Sequence, residues 1–258
     1  MTEASCGVNL RYILFVVAYD GSEFSGSQLQ KNALSVQGEL ERAAEVVLGH
    51  PARVVLAGRT DAGVHATGQV GRFTTSNSIP AERVSLALNR VLNKSVRVQS
   101  AREVGERFHP RFSAKSRTYR YWIENSAIAN PLTRRIAGRV RDELNLEAMK
   151  TAAPAFLGAQ DFAAWQSAGS PMGGTVRDVK KLAVRRRNNA FGSSLIEVEI
   201  EANAFLYQMV RNIVGALIKV GQGELSRADI ERLTQGRDRT KCPPPAPPQG
   251  LCLTKVRF

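Results

Sequence analysis

One stretch of the chain gathers the small, flexible and charged residues from which an active-site loop could be built. Ala57-Gly58-Arg59-Thr60-Asp61-Ala62-Gly63-Val64-His65-Ala66 holds one carboxylate, Asp61, close behind one guanidinium, Arg59, with glycine on either side. Glycines let backbone and substrate approach closely. A neighbouring cation favours the charged form of a carboxylate and aims it, which is what a carboxylate nucleophile needs. Taken alone, Asp before Ala-Gly is most often a turn residue capping its own backbone, so spacing by itself names no reaction. Arg211 is a charge inside the mostly apolar run Phe205 to Val220. There it needs a partner if it is buried, or it snorkels if it lies at the rim of a helix. Tyr119 and Tyr121 alternate with Arg120 and Trp122, and by residue type alone they read as core aromatics of a strand.

The rest of the inventory narrows the chemistry. His50, His65 and His109 are scattered, and Cys6, Cys242 and Cys252 are far apart and odd in number. Neither a zinc site nor a disulfide framework is expected, and three unpaired thiols fit a reducing cytoplasm. No run of 18 or more apolar residues occurs, so no membrane span is expected, and residues 1–9 read as a flexible N-terminus without a secretion signal. The net charge is +13, and it is uneven. Residues 107–187 carry 16 basic and 6 acidic side chains, whereas residues 1–106 carry 11 and 10 and residues 188–258 carry 9 and 7. A polyanion is the simplest partner for such a middle third. Candidate phosphate contacts are Arg134 and Arg135 with Arg139 and Arg141, Lys180 and Lys181, and Arg185, Arg186 and Arg187; each cluster could equally be a solvated face.

These residues need elements to position them. Arg11 to Asp20 reads as a mostly buried strand. Ser35 caps a helix to Leu48 that Gly49 ends. Arg53 to Ala57 and Gln69 to Thr75 read as strands flanking the glycine-rich segment. Pro80 opens a second helix, and Val96 to Arg102 is a further strand. The order of strand, helix, strand, strand, helix, strand is ferredoxin-like. The second half gives a strand over Arg117 to Glu124 and a helix over Leu146 to Leu157 that Pro154 shortens. A hairpin of Val176 to Arg186 with Leu195 to Ala202 turns around Asn188, Asn189 and Gly192. Phe205 to Val220 is a long helix, and Ser226 caps another. A proline-rich linker or wrapping loop spans 236–250, and Leu251 to Phe258 is a last strand. The expectation is an α+β protein of two related ferredoxin-like halves, 10–106 and 107–258, with mainly antiparallel sheets around a central cleft.

At this point the chain resembles a known family. Gly58-Arg59-Thr60-Asp61-Ala62-Gly63-Val64-His65 is similar to the active-site loop of the tRNA pseudouridine synthase A family. Tyr19-Asp20-Gly21-Ser22 with Phe24 and Gly26 resembles its opening loop. Phe108, Arg111-Phe112-Ser113-Ala114 and Ser116-Arg117-Thr118-Tyr119-Arg120-Tyr121 resemble its central segment. Asp161-Phe162, the run Asn203 to Gly215 and Gly250-Leu251 follow in the family's order. The family has tryptophan where this chain has Ser27, and its closing loop holds fewer prolines than Pro243-Pro244-Pro245-Ala246-Pro247-Pro248-Gln249.

The resemblance implies a cofactor-free and metal-free isomerisation of uridine to pseudouridine in the anticodon stem-loop of tRNA, around positions 38, 39 and 40. Asp61 maps onto the catalytic aspartate, attacking either C1′ of the ribose or C6 of the uracil. Such a base must leave its stack to be reached. Tyr119 maps onto an active-site tyrosine that stacks on the flipped uracil and helps remove the C5 proton. Arg211 maps onto the arginine that pairs with the aspartate, while Arg59 contacts the substrate backbone or holds the loop. A homodimer is implied, one tRNA touching both subunits. The rival readings are a non-catalytic tRNA-binding or folding module, against which a buried nucleophile argues, and a synthase acting on another structured RNA.

Overall fold

The computed structural model describes residues 9–169, 174–188 and 194–258; residues 1–8, with Cys6, and the hairpin turn at Asn189 and Gly192 lie outside the described residues. The first half runs β1 (Arg11–Tyr19), α1 (Val36–Leu48), β2 (Val55–Leu56), β3 (His65–Thr75), α2 (Ala81–Val91) and β4 (Val96–Val104). The second runs β5 (Ser116–Asn125), β6 (Gly138–Val140), α3 (Leu146–Ala152), β7 (Gly158–Asp161), β8 (Val176–Asn188), β9 (Ser194–Ala202), α4 (Met209–Gly221), α5 (Arg227–Gly236) and β10 (Leu251–Arg257). One mostly antiparallel sheet joins them in the order β4-β1-β3-β10-β5-β9-β8-β7, with β2 on β3 and β6 on β5.

Local chemistry sets the helix ends. The Ser35 hydroxyl accepts from Gly38 N–H, and Gly49 closes α1 with φ 77°. Ser226 and Asp229 form a reciprocal capping box on α5. Pro154 cannot continue the α3 ladder, so α3 stops at Ala152 and one 3-10 turn, Ala153–Phe156, follows. The apolar sides of the five helices and one face of the sheet share a core that includes Phe15, Phe73, Tyr121, Phe156 and Trp165.

The last strand is the seam. β10 pairs antiparallel with β5 (Leu253↔Tyr119, Leu251↔Tyr121) and parallel with the start of β3 (Cys252↔His65, Leu253↔Ala66). The C-terminal segment thereby sets Ala66, five residues past Asp61, one strand away from Tyr119.

Candidate active site

The loop carrying Asp61 joins β2 to β3 and is fastened on both sides of that residue. Ser27 and Thr60 exchange two bonds: Thr60 N–H donates to Ser27 Oγ at 2.8 Å, and Ser27 N–H to Thr60 O at 3.0 Å. The Tyr19 and Thr60 hydroxyls are 2.8 Å apart, and Gln69 Nε2 donates to Gly58 O at 2.9 Å. Val64 N–H returns to Asp61 O at 3.2 Å, closing a turn whose third residue, Gly63, has φ 75°. The first loop can lie this close because Gly26 has φ 115° and no Cβ; a Cβ there would stand 3.0 Å from Thr60 O. Ser27, 1% exposed, is thus a clamp on the loop. Residue type alone could not have shown this, because a serine after glycine reads as a turn.

Arg211 supplies the cation. Its Nη1 donates to Asp61 Oδ2 at 3.0 Å across 150 residues of sequence, with the side chains 11% and 20% exposed. Its Nε donates to Ala246 O at 2.8 Å, and Ala246 N–H donates back to Arg211 O at 2.9 Å. The proline-rich segment is therefore a wrapping loop locked to α4. Gly215 permits the approach, since a Cβ there would meet Pro244 O at 2.2 Å. Tyr121 fixes the same segment by donating to Pro247 O at 2.9 Å. Arg59, the neighbouring cation in sequence, is exposed and makes no hydrogen bond or ion pair among the described residues. The guanidinium on Asp61 is that of Arg211, the partner the family resemblance implied.

The helix expected from Phe205 begins only at Met209. The residues before it are used otherwise. Asn203 O accepts from Arg117 at 2.9 Å, and Gln208 takes a left-handed conformation at φ 57°. Phe205 turns to meet Tyr119 edge-on at 5.1 Å between ring centroids. Tyr119 is 7% exposed, and its hydroxyl has no hydrogen-bond partner among the described residues. Burial raises its phenol well above the ordinary value, and the nearby Tyr19 and Asp61 add to the rise. Burial likewise pushes Tyr19 up to about 12. A phenol so raised is protonated at neutral pH, and Tyr119 presents its ring and a hydroxyl donor.

Sequence reasoning gave Arg117 no role. Its guanidinium donates to Asn203 O, to Ala57 O at 2.9 Å and to Arg111 O at 2.8 Å, joining three segments around Tyr119. Burial lowers its pKa, partly offset by Tyr119. The one available signal was a lone arginine at a strand start on the face of Tyr119.

The remaining residues fall into two groups. His65 accepts from Gly21 N–H at Nδ1 (3.0 Å) and reaches Arg135 O (2.7 Å) and Gln249 O (3.1 Å) with Nε2. These partners assign the neutral Nε2–H tautomer, although Asp20 Oδ1 lies 3.2 Å from Nδ1; we favour the tautomer that satisfies the Gly21 donor. His65 is a structural tie, and through it the exposed Arg134 and Arg135 lie beside the loop. Lys181 and Arg185 register opposite Glu201 and Glu197, and residues directly opposite share a sheet face. Glu199 and Arg120 share that face, while Tyr119 is on the other. Lys181 is paired with Glu199 at 2.5 Å and Arg187 with Glu197 at 3.5 Å. Lys180, Arg185 and Arg186 are exposed without ion pairs among the described residues. Among the described residues, no group of three or more His, Cys, Asp or Glu could hold a metal ion, and no helix is long and apolar enough to cross a membrane.

Set beside known proteins, this chain falls among RNA-modifying isomerases. A family profile described as tRNA pseudouridine synthase matches residues 15–113 and 152–258. The protein named tRNA pseudouridine synthase A of Thermoanaerobacter sp. (strain X514) is 41% identical over 249 residues, 96% of this chain and 100% of that one. Those of the same name in Ruminiclostridium cellulolyticum and Geobacter sulfurreducens are 40% and 39% identical over the same shares. The chain belongs to the tRNA pseudouridine synthase family and is an isomerase of that class.

Proposed function

We propose that the chain converts uridine to pseudouridine in the anticodon stem-loop of tRNA, around positions 38, 39 and 40, with Asp61 as nucleophile. The observation that carries this is the Asp61–Arg211 pair at 3.0 Å, with Tyr119 close enough to feel the carboxylate's charge. The reaction breaks the bond from ribose C1′ to uracil N1 and forms the bond from C1′ to C5. The C5 proton passes to solvent water and N1 takes one proton from it, so the product is an isomer of the substrate. The Asp61 carboxylate attacks C1′ or C6, and Arg211 holds its second oxygen so that Oδ1 faces the nucleotide. The target uridine has left its stack, and its uracil lies against Tyr119, whose protonated hydroxyl donates to it. The exposed Arg59, Arg134 and Arg135 contact phosphates around the loop. A division at residues 106 and 107, supported by the element order, a cytoplasmic setting, supported by the three unpaired cysteines, and a homodimer sharing one tRNA, supported by the family resemblance, complete the reading.

The test is tritium release from tRNA carrying [5-³H]uridine, wild type against Asp61→Ala. Release by the wild type and none by the variant, with tRNA binding retained, is the expected result. Binding lost in proportion to activity would overturn the nucleophile assignment. Release only from another structured RNA would overturn the substrate.

A further inference from the structure

We propose that Phe112, with Arg111 and His109, is a second RNA contact: a platform on which an unpaired base of the bound RNA stacks, outside the pocket at Asp61. The proposal rests on the reading of the chain as an enzyme of tRNA. Phe112 is 78% exposed, against 44% for Tyr207, the other exposed large aromatic among the described residues. An aromatic that exposed on a slack loop would fold back onto the surface. This one is held out. Ser113 N–H donates to His109 O at 2.8 Å, and His109 N–H donates to Ser113 Oγ at 3.1 Å. The His109 Nδ1 accepts from both Arg111 N–H (3.2 Å) and Phe112 N–H (3.3 Å), so one imidazole stiffens the whole turn. That ring lies 4.4 Å from the Phe112 centroid, tilted by 33°, and the Arg111 guanidinium stands 5.7 Å from it. A rigid aromatic flanked by a second ring and a cation is the arrangement that binds bases without reading their edges.

Charge decides the occupant. From Arg107 to Ile123 the chain has five cations (Arg107, Arg111, Lys115, Arg117 and Arg120) and no carboxylate. Arg107, Arg111 and Lys115 are exposed and have no ion pair among the described residues. A stacking ring among unneutralised cations fits a nucleotide, which offers a base and a phosphate together. The platform is also wired to the reaction centre. Arg117 Nη2 donates to both Arg111 O (2.8 Å) and Ala57 O (2.9 Å), four residues before Asp61. A single guanidinium thus fixes the platform relative to the nucleophile loop, and a base stacked on Phe112 registers the strand whose uridine enters the site.

The experiment measures binding of an unmodified tRNA transcript, across a range of salt concentrations, to the full chain and to Phe112→Ala, Phe112→Tyr and Arg111→Gln. Phe112→Ala is expected to weaken binding about tenfold without changing the salt slope, as the loss of one stacked base does. Phe112→Tyr stays within about twofold of wild type, and Arg111→Gln lowers the slope by about one. Phe112→Ala binding as tightly as wild type would refute the platform. So would a fall in its Tm, which makes the ring structural, or a change in its sedimentation without RNA, which makes the patch a contact between copies. Tritium release by the wild type keeps the two readings apart. Release with no binding defect in Phe112→Ala removes the platform alone, whereas a tenfold defect without release leaves the platform and removes the reaction.

Discussion

Replacing Arg211 by alanine removes two bonds at once, to Asp61 Oδ2 at 3.0 Å and to Ala246 O at 2.8 Å. Breaking a fully buried ion pair by deleting one partner costs about 3–5 kcal/mol, whereas an exposed pair is worth about 0.2–1 kcal/mol. Side chains 11% and 20% exposed lie between these cases, so the pair is worth about 2 kcal/mol, and the lost donor to Ala246 O adds about 1 kcal/mol. For a chain of 258 residues, a loss of about 3 kcal/mol lowers Tm by roughly 6–12 °C. The assay is thermal unfolding of wild type, Arg211→Ala, Asp61→Ala and the double variant, closed as a cycle. A coupling of about 1–2 kcal/mol is expected. Single-turnover conversion of tRNA by Arg211→Ala should fall by about a hundredfold, the cost of aiming a group wrongly by about 1 Å. Arg211→Lys keeps the charge but offers one ammonium where a fork reached two acceptors, so it recovers only part of either loss. A coupling near zero, or wild-type turnover in Arg211→Lys, would refute the claim that the guanidinium aims the nucleophile.

Five further outcomes are expected. Tyr119→Phe removes a hydroxyl without a protein partner, so denaturant unfolding at pH 7 should change by less than about 0.5 kcal/mol. Tyr19, Tyr119 and Tyr121 all hold raised phenol pKa values, so the folded chain keeps protons that the unfolded chain releases above about pH 10. Their stabilising contribution is present below pH 10 and lost as pH rises further, and Tyr119→Phe should remove about one proton from that slope. Arg117→Met, which deletes bonds to three carbonyls, should slow single-turnover conversion more than it weakens tRNA binding, with no rescue by lysine; equal losses in both would make it a binding residue. Neutralising Arg134 and Arg135 should lower the salt slope of tRNA binding by about two, whereas neutralising Lys181 and Arg187, already paired to Glu199 and Glu197, should leave it unchanged. Ser27→Ala leaves the Thr60 N–H without its acceptor and should cost about 1–3 kcal/mol on urea unfolding.

The elements legible in the sequence were those with local causes. Ser35, Gly49, Ser226 and Asp229 end their helices through bonds within a few residues, and Pro154 cuts α3 by its own ring. The errors had distant causes. α4 starts four residues after Phe205, because Gln208 takes a left-handed conformation at φ 57° and Phe205 turns to Tyr119, far away in the sequence. β3 extends back to His65 because β10 pairs there. β6 and β7, of three and four residues, exist only as partners of β5 and β8. The same split runs through the candidate site. Asp61 between glycines marked the loop, and the family resemblance paired it with Arg211, but nothing local in the sequence sets that residue of α4, 150 residues away, beside it; the fold does. The wrapping reading of 236–250 was open beside that of a linker; Ala246, 3% exposed and doubly bonded to Arg211, decides it.

The position of β10 explains why these distant residues meet. The strand lies between β3 and β5 rather than at an edge of the sheet. That insertion sets Leu253 between Ala66 and Tyr119, and the segment leading into β10 must pass α4, where Ala246 and Arg211 exchange their bonds. Asp61, Tyr119 and Arg211 are therefore tied to one another through β10 and the segment that leads into it. Arg211 is held by both Ala246 and Asp61, so losing that segment would free the guanidinium and the Asp61 loop together. The site is assembled by the closure of the sheet rather than by either half, which is why no single stretch of sequence contains it.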